Sequence, residues 1–89
     1  MSKPDDDGPV VERVQTGVRM EKRLIKVLKG LAEYLDMSLG DLLEGICLHA
    51  FEGRCAFSGP TLETIERLKA VYGLDLDAAA SHRMREQRR

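Results

Sequence analysis

The chain has 89 residues, 43% of them hydrophobic, and a formal net charge of −1. This length allows one small domain with tails, near the size at which a single core is only marginally sufficient, so a partner chain would help to stabilise it. No apolar run approaches the roughly 20 residues that cross a bilayer, and the start "MSKPDDDGP" lacks the basic and apolar blocks of a signal peptide. We therefore expect a cytoplasmic protein with no membrane partner.

The small net charge hides a division of charge along the chain. Residues 13–30 hold six basic residues and one acidic residue, a net charge of +5. Residues 31–66 hold one basic and seven acidic residues, a net charge of −6. This division indicates that one end of the fold is basic, although charge alone fits an ordinary solvated face equally well.

The first nine residues form an acidic, non-hydrophobic segment. Residues 1–9 contain two Pro, one Gly and three consecutive Asp, and they have nothing to bury in a core. This composition predicts a disordered acidic tail over 1–9.

A short β-strand is predicted after this tail, because polarity alternates with a period of two from residue 13 to residue 20. One set of positions is mostly apolar: Val14, Thr16, Val18 and Met20. The opposite set is polar and cationic: Arg13, Gln15, Gly17 and Arg19.

Two helical patterns follow the strand. Over residues 21–36, apolar residues recur at spacings of four, three and four, as in an amphipathic helix: Leu24, Leu28, Leu31 and Leu35. Ser38, with Asp41 three residues later, has the form of a capping box and predicts that a second helix begins there. Gly53 is placed to end that helix.

The C-terminal part of the chain has a third helical pattern. We predict a helix over residues 60–73, with Pro60 in its first turn and Gly73 at its end. The remaining residues could form a fourth helix capped by Asp75 or Asp77, with arginines near its C-terminal end, or they could fray.

The predicted strand has no second strand to pair with. Its backbone amides and carbonyls need hydrogen-bond partners, and every other segment except the tails has helical periodicity. The simplest partner is the same strand of another copy, paired antiparallel about a two-fold axis, which predicts a homodimer. The resulting two-stranded ribbon would present Arg13, Gln15, Gly17 and Arg19 from each chain. Such a ribbon fits the major groove of B-DNA, where Arg can bond to guanine and Gln to adenine.

Residues 14–53 resemble the ribbon-helix-helix DNA-binding domain of the Arc/MetJ/CopG type. The likeness lies in "VRMEKRLIKVLKGLAEYLDMSLGDLLEGI": apolar-Arg-apolar at the strand end, an amphipathic helix, a short turn, and a Ser opening the second helix. The resemblance implies that Gln15, Gly17 and Arg19 read bases in double-stranded DNA. It also implies phosphate contacts from the start of the second helix and from basic residues near the ribbon: Ser38, Leu39, Gly40, Arg13, Lys22 and Arg23.

The chain departs from the family pattern in three places. Thr16 stands where the family usually has an apolar residue, and Gly17 where it usually has a polar side chain, so base readout rests mainly on Gln15 and Arg19. Asp41 places a carboxylate in the turn that should face phosphate. The moderate net charge predicts few phosphate contacts, and therefore tight binding only to a proper operator or through several dimers side by side.

Other kinds of site are weakly indicated. Cys47 and His49 lie two residues apart on a helix and point about 200° apart, so they cannot jointly hold a metal. Cys47 and Cys55 read as free thiols. No nucleophile motif, phosphate loop or pair of carboxylates indicates an enzyme, and we expect no catalytic residue, metal or cofactor.

The sequence therefore predicts a mainly α fold with one short β-strand: an intertwined ribbon-helix-helix homodimer with an intermolecular two-stranded ribbon. Residues 10–53 form the DNA-binding and dimerisation domain, and 54–89 form a C-terminal helical extension for packing, oligomerisation or a protein partner. The predicted function is that of a bacterial-type transcriptional regulator or repressor. Two alternatives stay open: an antitoxin whose residues 54–89 bind a toxin, and a dimeric protein-interaction module without DNA binding.

Overall fold

The structure is a computed structural model that describes residues 8–87. The described part is mainly helical, as predicted, with α1 at Lys22–Tyr34, α2 at Leu39–Phe51 and α3 at Gly59–Tyr72, followed by a 3₁₀ turn at Ala78–Ala80. Most of the predicted acidic tail, residues 1–7, lies outside the described residues. None of the helices in 8–87 has the length and apolar composition needed to span a bilayer.

Helix α1 begins at an acidic cap. One carboxylate oxygen of Glu21 accepts a hydrogen bond from the amide of Leu24 at 2.9 Å, which satisfies one of the free N–H groups in the first turn. Asp36 ends the helix by adopting a positive φ of 59°. The Met37 amide then reaches the Ala32 carbonyl at 3.0 Å, as in a Schellman motif. The predicted helix over 21–36 is therefore confirmed, with slightly tighter ends.

Helix α2 begins where the sequence predicted. The Ser38 hydroxyl accepts a hydrogen bond from the Asp41 amide at 3.1 Å. The Asp41 carboxylate does not complete a capping box; it lies 3.7 Å from the guanidinium of Arg13 instead. Gly53, with φ 72°, ends the helix in a second Schellman motif, as predicted.

Helix α3 also matches its predicted limits. Pro60 lies in its first turn, and Gly73, with φ 68°, ends it in a third Schellman motif. Thr64 is buried on this helix, and its hydroxyl donates to the Pro60 carbonyl at 3.3 Å, so its polar atom is satisfied.

The core forms where α1 packs against both α2 and α3. The innermost side chain is Leu31, which is only 2% exposed. Its buried neighbours are Leu28, Ala32 and Leu42, and partly buried side chains from all three helices surround this cluster. Gly30 allows α3 to approach α1 closely, because a Cβ at this position would lie 3.1 Å from the Leu68 Cδ2 atom. This close approach explains a glycine inside an amphipathic helix.

The predicted fourth helix is wrong. In residues 74–87 the regular structure is limited to Ala78–Ala80, where the Asp77 carboxylate accepts a hydrogen bond from the Ala79 amide at 3.0 Å. His82 follows with φ 67°, outside helical geometry. A short helix needs an apolar stripe to pack against the core, and the stretch after the alanines supplies one methionine among polar residues.

Residues 8–20 form neither helix nor strand in the single chain. Their backbone amides and carbonyls make no hydrogen bond to any other described residue. All of these residues are exposed. The predicted ribbon requires two chains, so it stays a prediction.

Candidate nucleic-acid interface

The segment before α1 exposes the side chains that were predicted to form the apolar face of the ribbon. Val14 is 78% exposed, Val18 74% and Met20 39%. Val10 and Val11 are exposed as well. Single exposed apolar residues are common, but four of these five stand at even-numbered positions of a segment whose backbone is also unpaired within residues 8–87. Val11 is the exception, at an odd-numbered position. The segment therefore leaves apolar side chains and backbone groups exposed together.

Beside the start of α1 lies an apolar groove of about 340 Å³. It is lined mainly by aliphatic side chains of α1, α2, α3 and the C-terminal segment, among them Leu24, Leu28, Ile46, Ile65, Leu74 and Leu76. Glu21, the residue that joins the 8–20 segment to α1, stands at its edge. Unburied apolar surface is therefore found on both sides of this junction.

The predicted base-reading residues stand at odd-numbered positions of the same segment. Gln15 and Gly17 are exposed, and the Gln15 side chain makes no hydrogen bond within residues 8–87. An added Cβ at Gly17 would meet no atom within 4 Å, so the single chain does not require a glycine there. Arg19 differs from both, because its guanidinium is bound by the carboxylate of Glu86.

Arg13 is held against the first turns of α2. Its Nε and Nη2 atoms donate to the two carboxylate oxygens of Glu44 at 2.8 and 2.9 Å. The bond and the opposite charge raise the pKa of Arg13 above its ordinary value and lower that of Glu44. The pair is largely exposed, so its contribution to stability is small.

This contact brings Arg13 close to the other predicted phosphate ligands. Within residues 8–87, the amides of Leu39 and Gly40 have no hydrogen-bond acceptor, as expected in the first turn of a helix. Such amides and the helix dipole favour an anion. Asp41 opposes an anion there; the guanidinium of Arg13 lies 3.7 Å from its carboxylate, but that one positive charge is shared with Glu44. The side chain of Leu39 packs against the core, so only its amide faces outward.

Arg23 is bound more extensively than any other predicted contact residue in the described chain. Its Nε donates to Glu21 at 3.0 Å, and its Nη1 donates to both the Gly73 carbonyl and the Asp75 carboxylate at 2.9 Å. The bond to Glu21 is the main cause of its raised pKa, and partial burial opposes the effect. The arginine thus joins the start of α1 to the end of α3.

The lysines of α1 are less constrained. Lys22 is exposed in the first turn and forms no ion pair with a described residue. Lys26 places its ammonium 5.9 Å from the centre of the Tyr72 ring, within the range of a cation–π contact. Lys22 therefore remains available to an anion from solution.

Sequence reasoning missed the acidic partners of the three arginines. Glu44, Asp75 and Glu86 are separated from them by 31, 52 and 67 residues. No local pattern connects residues so far apart, and the charge pattern of 74–87 is mixed. These pairings follow from the way α2 and the C-terminal segment pack around α1.

No group of three metal-ligating side chains converges within the described residues. Cys47 and Cys55 are exposed free thiols.

Comparisons of the chain with family models, with curated proteins and with solved structures give no match.

Proposed function

We propose that this chain is a homodimeric DNA-binding protein of the ribbon-helix-helix type, which inserts a two-stranded ribbon formed by residues 14–20 of two copies into the major groove. A transcriptional regulator is the role we assign to it. The observation that carries the proposal is the unpaired segment before α1. Its backbone has no partner in residues 8–87, and one parity exposes Val14 and Val18 while the other carries Arg19.

A second copy would provide partners for the unpaired backbone and for the exposed valines of this segment. Antiparallel pairing would satisfy the backbone groups, and the valines of the ribbon would be buried against apolar surface beside α1. Burying a valine side chain stabilises a fold by about 1.5 to 3 kcal/mol, so a pair on each chain gives a substantial driving force. The opposite face, with Gln15 and Arg19 from each chain, would then point toward DNA.

The start of α2 supports the phosphate part of the proposal. The amides of Leu39 and Gly40 are unpaired within the described chain, and Arg13 lies 3.7 Å from the carboxylate of Asp41 in the same turn. Phosphate contacts of this kind fix the orientation of a protein on the duplex, while base contacts supply the specificity. Lys22, on the first turn of α1, is an additional phosphate ligand.

The decisive experiment is selection of bound duplexes from a random pool, followed by affinity measurements over a range of salt concentrations. We expect an enriched sequence and a linear fall of log affinity with log salt. Arg19→Ala should then weaken binding to the selected duplex by about five- to 150-fold, equivalent to about 1 to 3 kcal/mol, and relax specificity.

Lys22→Ala is the matched control for Arg19→Ala. Loss of a phosphate contact should weaken binding to all sequences alike and reduce the salt slope by about one. If Arg19→Ala binds the selected duplex as tightly as the unaltered chain, Arg19 is not a base contact. A stable monomer at high protein concentration would remove the whole proposal.

The antitoxin alternative is less well supported by the described structure. A toxin-binding tail is expected to fold on its partner. Helix α3 instead packs on α1 within the chain, through Leu68 beside Gly30. The protein-interaction alternative is favoured by the neutralisation of Arg13, Arg19 and Arg23, and absence of any salt-dependent duplex binding would select it.

A further inference from the structure

We propose that residues 73–86 act as an acidic clasp, which occupies Arg19 and Arg23 and must release them before they contact DNA. The inference rests on the proposed function for its biological meaning, but the clasp itself is a contact within the chain. Two carboxylates form it: Asp75 binds Arg23 and Glu86 binds Arg19. Both arginines are predicted DNA contacts.

The clasp is anchored at its start by the end of α3. Gly73 adopts a positive φ, and the Leu74 amide bonds to the Lys69 carbonyl at 2.9 Å in the Schellman motif. The Gly73 carbonyl oxygen itself accepts a hydrogen bond from the Arg23 guanidinium. The backbone next to Asp75 is therefore held in place by helix geometry as well as by its ion pair.

Alternation along the clasp separates its anchoring side chains from its acidic ones. Leu74 and Leu76 are half-buried and line the apolar groove, whereas Asp75 and Asp77 are exposed. Asp77 is used locally, since it caps Ala79. Asp75 is thus presented outward between two apolar anchors. A carboxylate positioned in this way loses little conformational freedom when it binds an arginine.

The carboxylates of the clasp and the phosphates or bases of DNA require the same donors. A guanidinium has five N–H groups in a fixed planar arrangement that suits carboxylate and phosphate alike. In Arg23, Nε is engaged by Glu21 and Nη1 by Gly73 and Asp75. In Arg19, Nη2 is engaged by Glu86. Contact with DNA through Nη1 of Arg23 or through Nη2 of Arg19 therefore requires the clasp to open.

The expected inhibition is modest, since both pairs are exposed to solvent. The Arg19 and Glu86 side chains are 82% and 71% exposed, and exposed pairs of this kind are weak individually. Together we expect the two pairs to reduce DNA affinity by about three- to tenfold at low salt, and by less as salt screens them. The clasp therefore tunes binding and does not abolish it.

The test compares two double variants with the same change in net charge. Asp75→Asn with Glu86→Gln removes the two clasp carboxylates. Glu33→Gln with Glu63→Gln removes two exposed carboxylates that form no ion pair in the described chain. Any general gain in DNA affinity from lost negative charge is common to both variants. We expect the clasp variant to bind a selected duplex about three- to tenfold more tightly than the control at low salt.

A second measurement does not depend on DNA. The rates at which phenylglyoxal modifies Arg19 and Arg23 are followed by peptide mass spectrometry in both variants. We expect faster modification of these two arginines in the clasp variant, with Arg13 unchanged because its pairing to Glu44 is intact. Equal modification rates in both variants would overturn the clasp.

The two measurements distinguish failure of the clasp from failure of the proposed function. Faster modification without binding to any duplex by either variant would support the clasp and overturn DNA binding. Duplex binding of equal strength in both variants would overturn the inhibitory role of the clasp and leave DNA binding in place.

Discussion

Two regions of the molecule differ in how fully their backbone hydrogen bonds and apolar side chains are satisfied within the chain: the helical region α1–α3 and the segment 8–20. In α1–α3 every helix has a side-chain cap or proline at its start and a Schellman motif at its end, and Leu31 is almost fully buried. In residues 8–20 the backbone is unpaired and the valines are exposed. A single chain therefore completes a helical core, whereas the backbone of residues 8–20 finds no partner within the described residues.

The largest effect is expected from charges placed on the apolar parity of the 8–20 segment. In the proposed dimer, Val14→Asp with Val18→Asp would remove the burial of two valines per chain, worth about 3 to 6 kcal/mol of dimer stability per chain. We expect the dimer to dissociate in sedimentation experiments while the helical circular dichroism of α1–α3 is retained. Gln15→Asp with Gly17→Asp adds the same charge on the opposite parity and should leave the dimer intact. Equal dissociation in both variants would contradict the assignment of faces.

The core of the helical region should be the next most sensitive site. Leu31→Ala creates a cavity where a side chain is 2% exposed, which costs about 2 to 5 kcal/mol of unfolding free energy. Val71→Ala shortens a side chain that is 71% exposed on α3 and should change stability by less than about 0.5 kcal/mol. Urea denaturation at a fixed protein concentration measures both. Similar losses for the two variants would show that α1 is not the centre of the core.

A smaller effect is expected at the junction between the two regions. Glu21→Ala removes the cap of α1 and should cost about 0.5 to 2 kcal/mol. The bond from the Leu24 amide lowers the pKa of Glu21 below its ordinary value of 4.5, helped by Arg23 and opposed by burial. The charged form is therefore favoured in the folded chain, and its stabilisation is present above pH 4.5 and lost as the pH falls through the lowered pKa.

Glu21→Gln tests how much of the stabilisation by this cap comes from its charge. The variant keeps an oxygen acceptor for Leu24 but cannot ionise, so its stability should lack the acid-dependent part contributed by Glu21. The difference in unfolding free energy between the unaltered chain and Glu21→Gln should accordingly shrink as the pH is lowered below 4.5. A difference that stays constant with pH would show that the charge of Glu21 does not contribute.

Most of the helical architecture was predictable because its signals are local. Ser38, Gly53 and Gly73 mark helix ends through interactions with backbone groups only a few residues away. The fourth helix was predicted wrongly because Asp77 is a suitable cap, yet no apolar stripe follows it to hold a helix on the core. A capping residue alone was not sufficient to predict a helix in this stretch.

The candidate site was predictable in composition but not in its pairing. The alternation in 13–20 predicts that Arg13, Gln15 and Arg19 share one face of a strand. All residues of this segment are exposed in the single chain, so the division into two faces stays a prediction. The grouping of Arg13 with the start of α2, and of Arg19 and Arg23 with the C-terminal segment, was not foreseen. Ion pairs between distant residues depend on how the elements pack, which periodicity does not encode.

The sequence by itself determined the three helices and their ends, because hydrogen bonds and apolar spacing within one helix involve near neighbours. Only the tertiary structure shows which carboxylates bind the arginines. It also shows that Gly30 lies inside α1 because α3 approaches the helix closely there. Those contacts join residues that are far apart in the chain, and they form when α2, α3 and the C-terminal segment pack around α1.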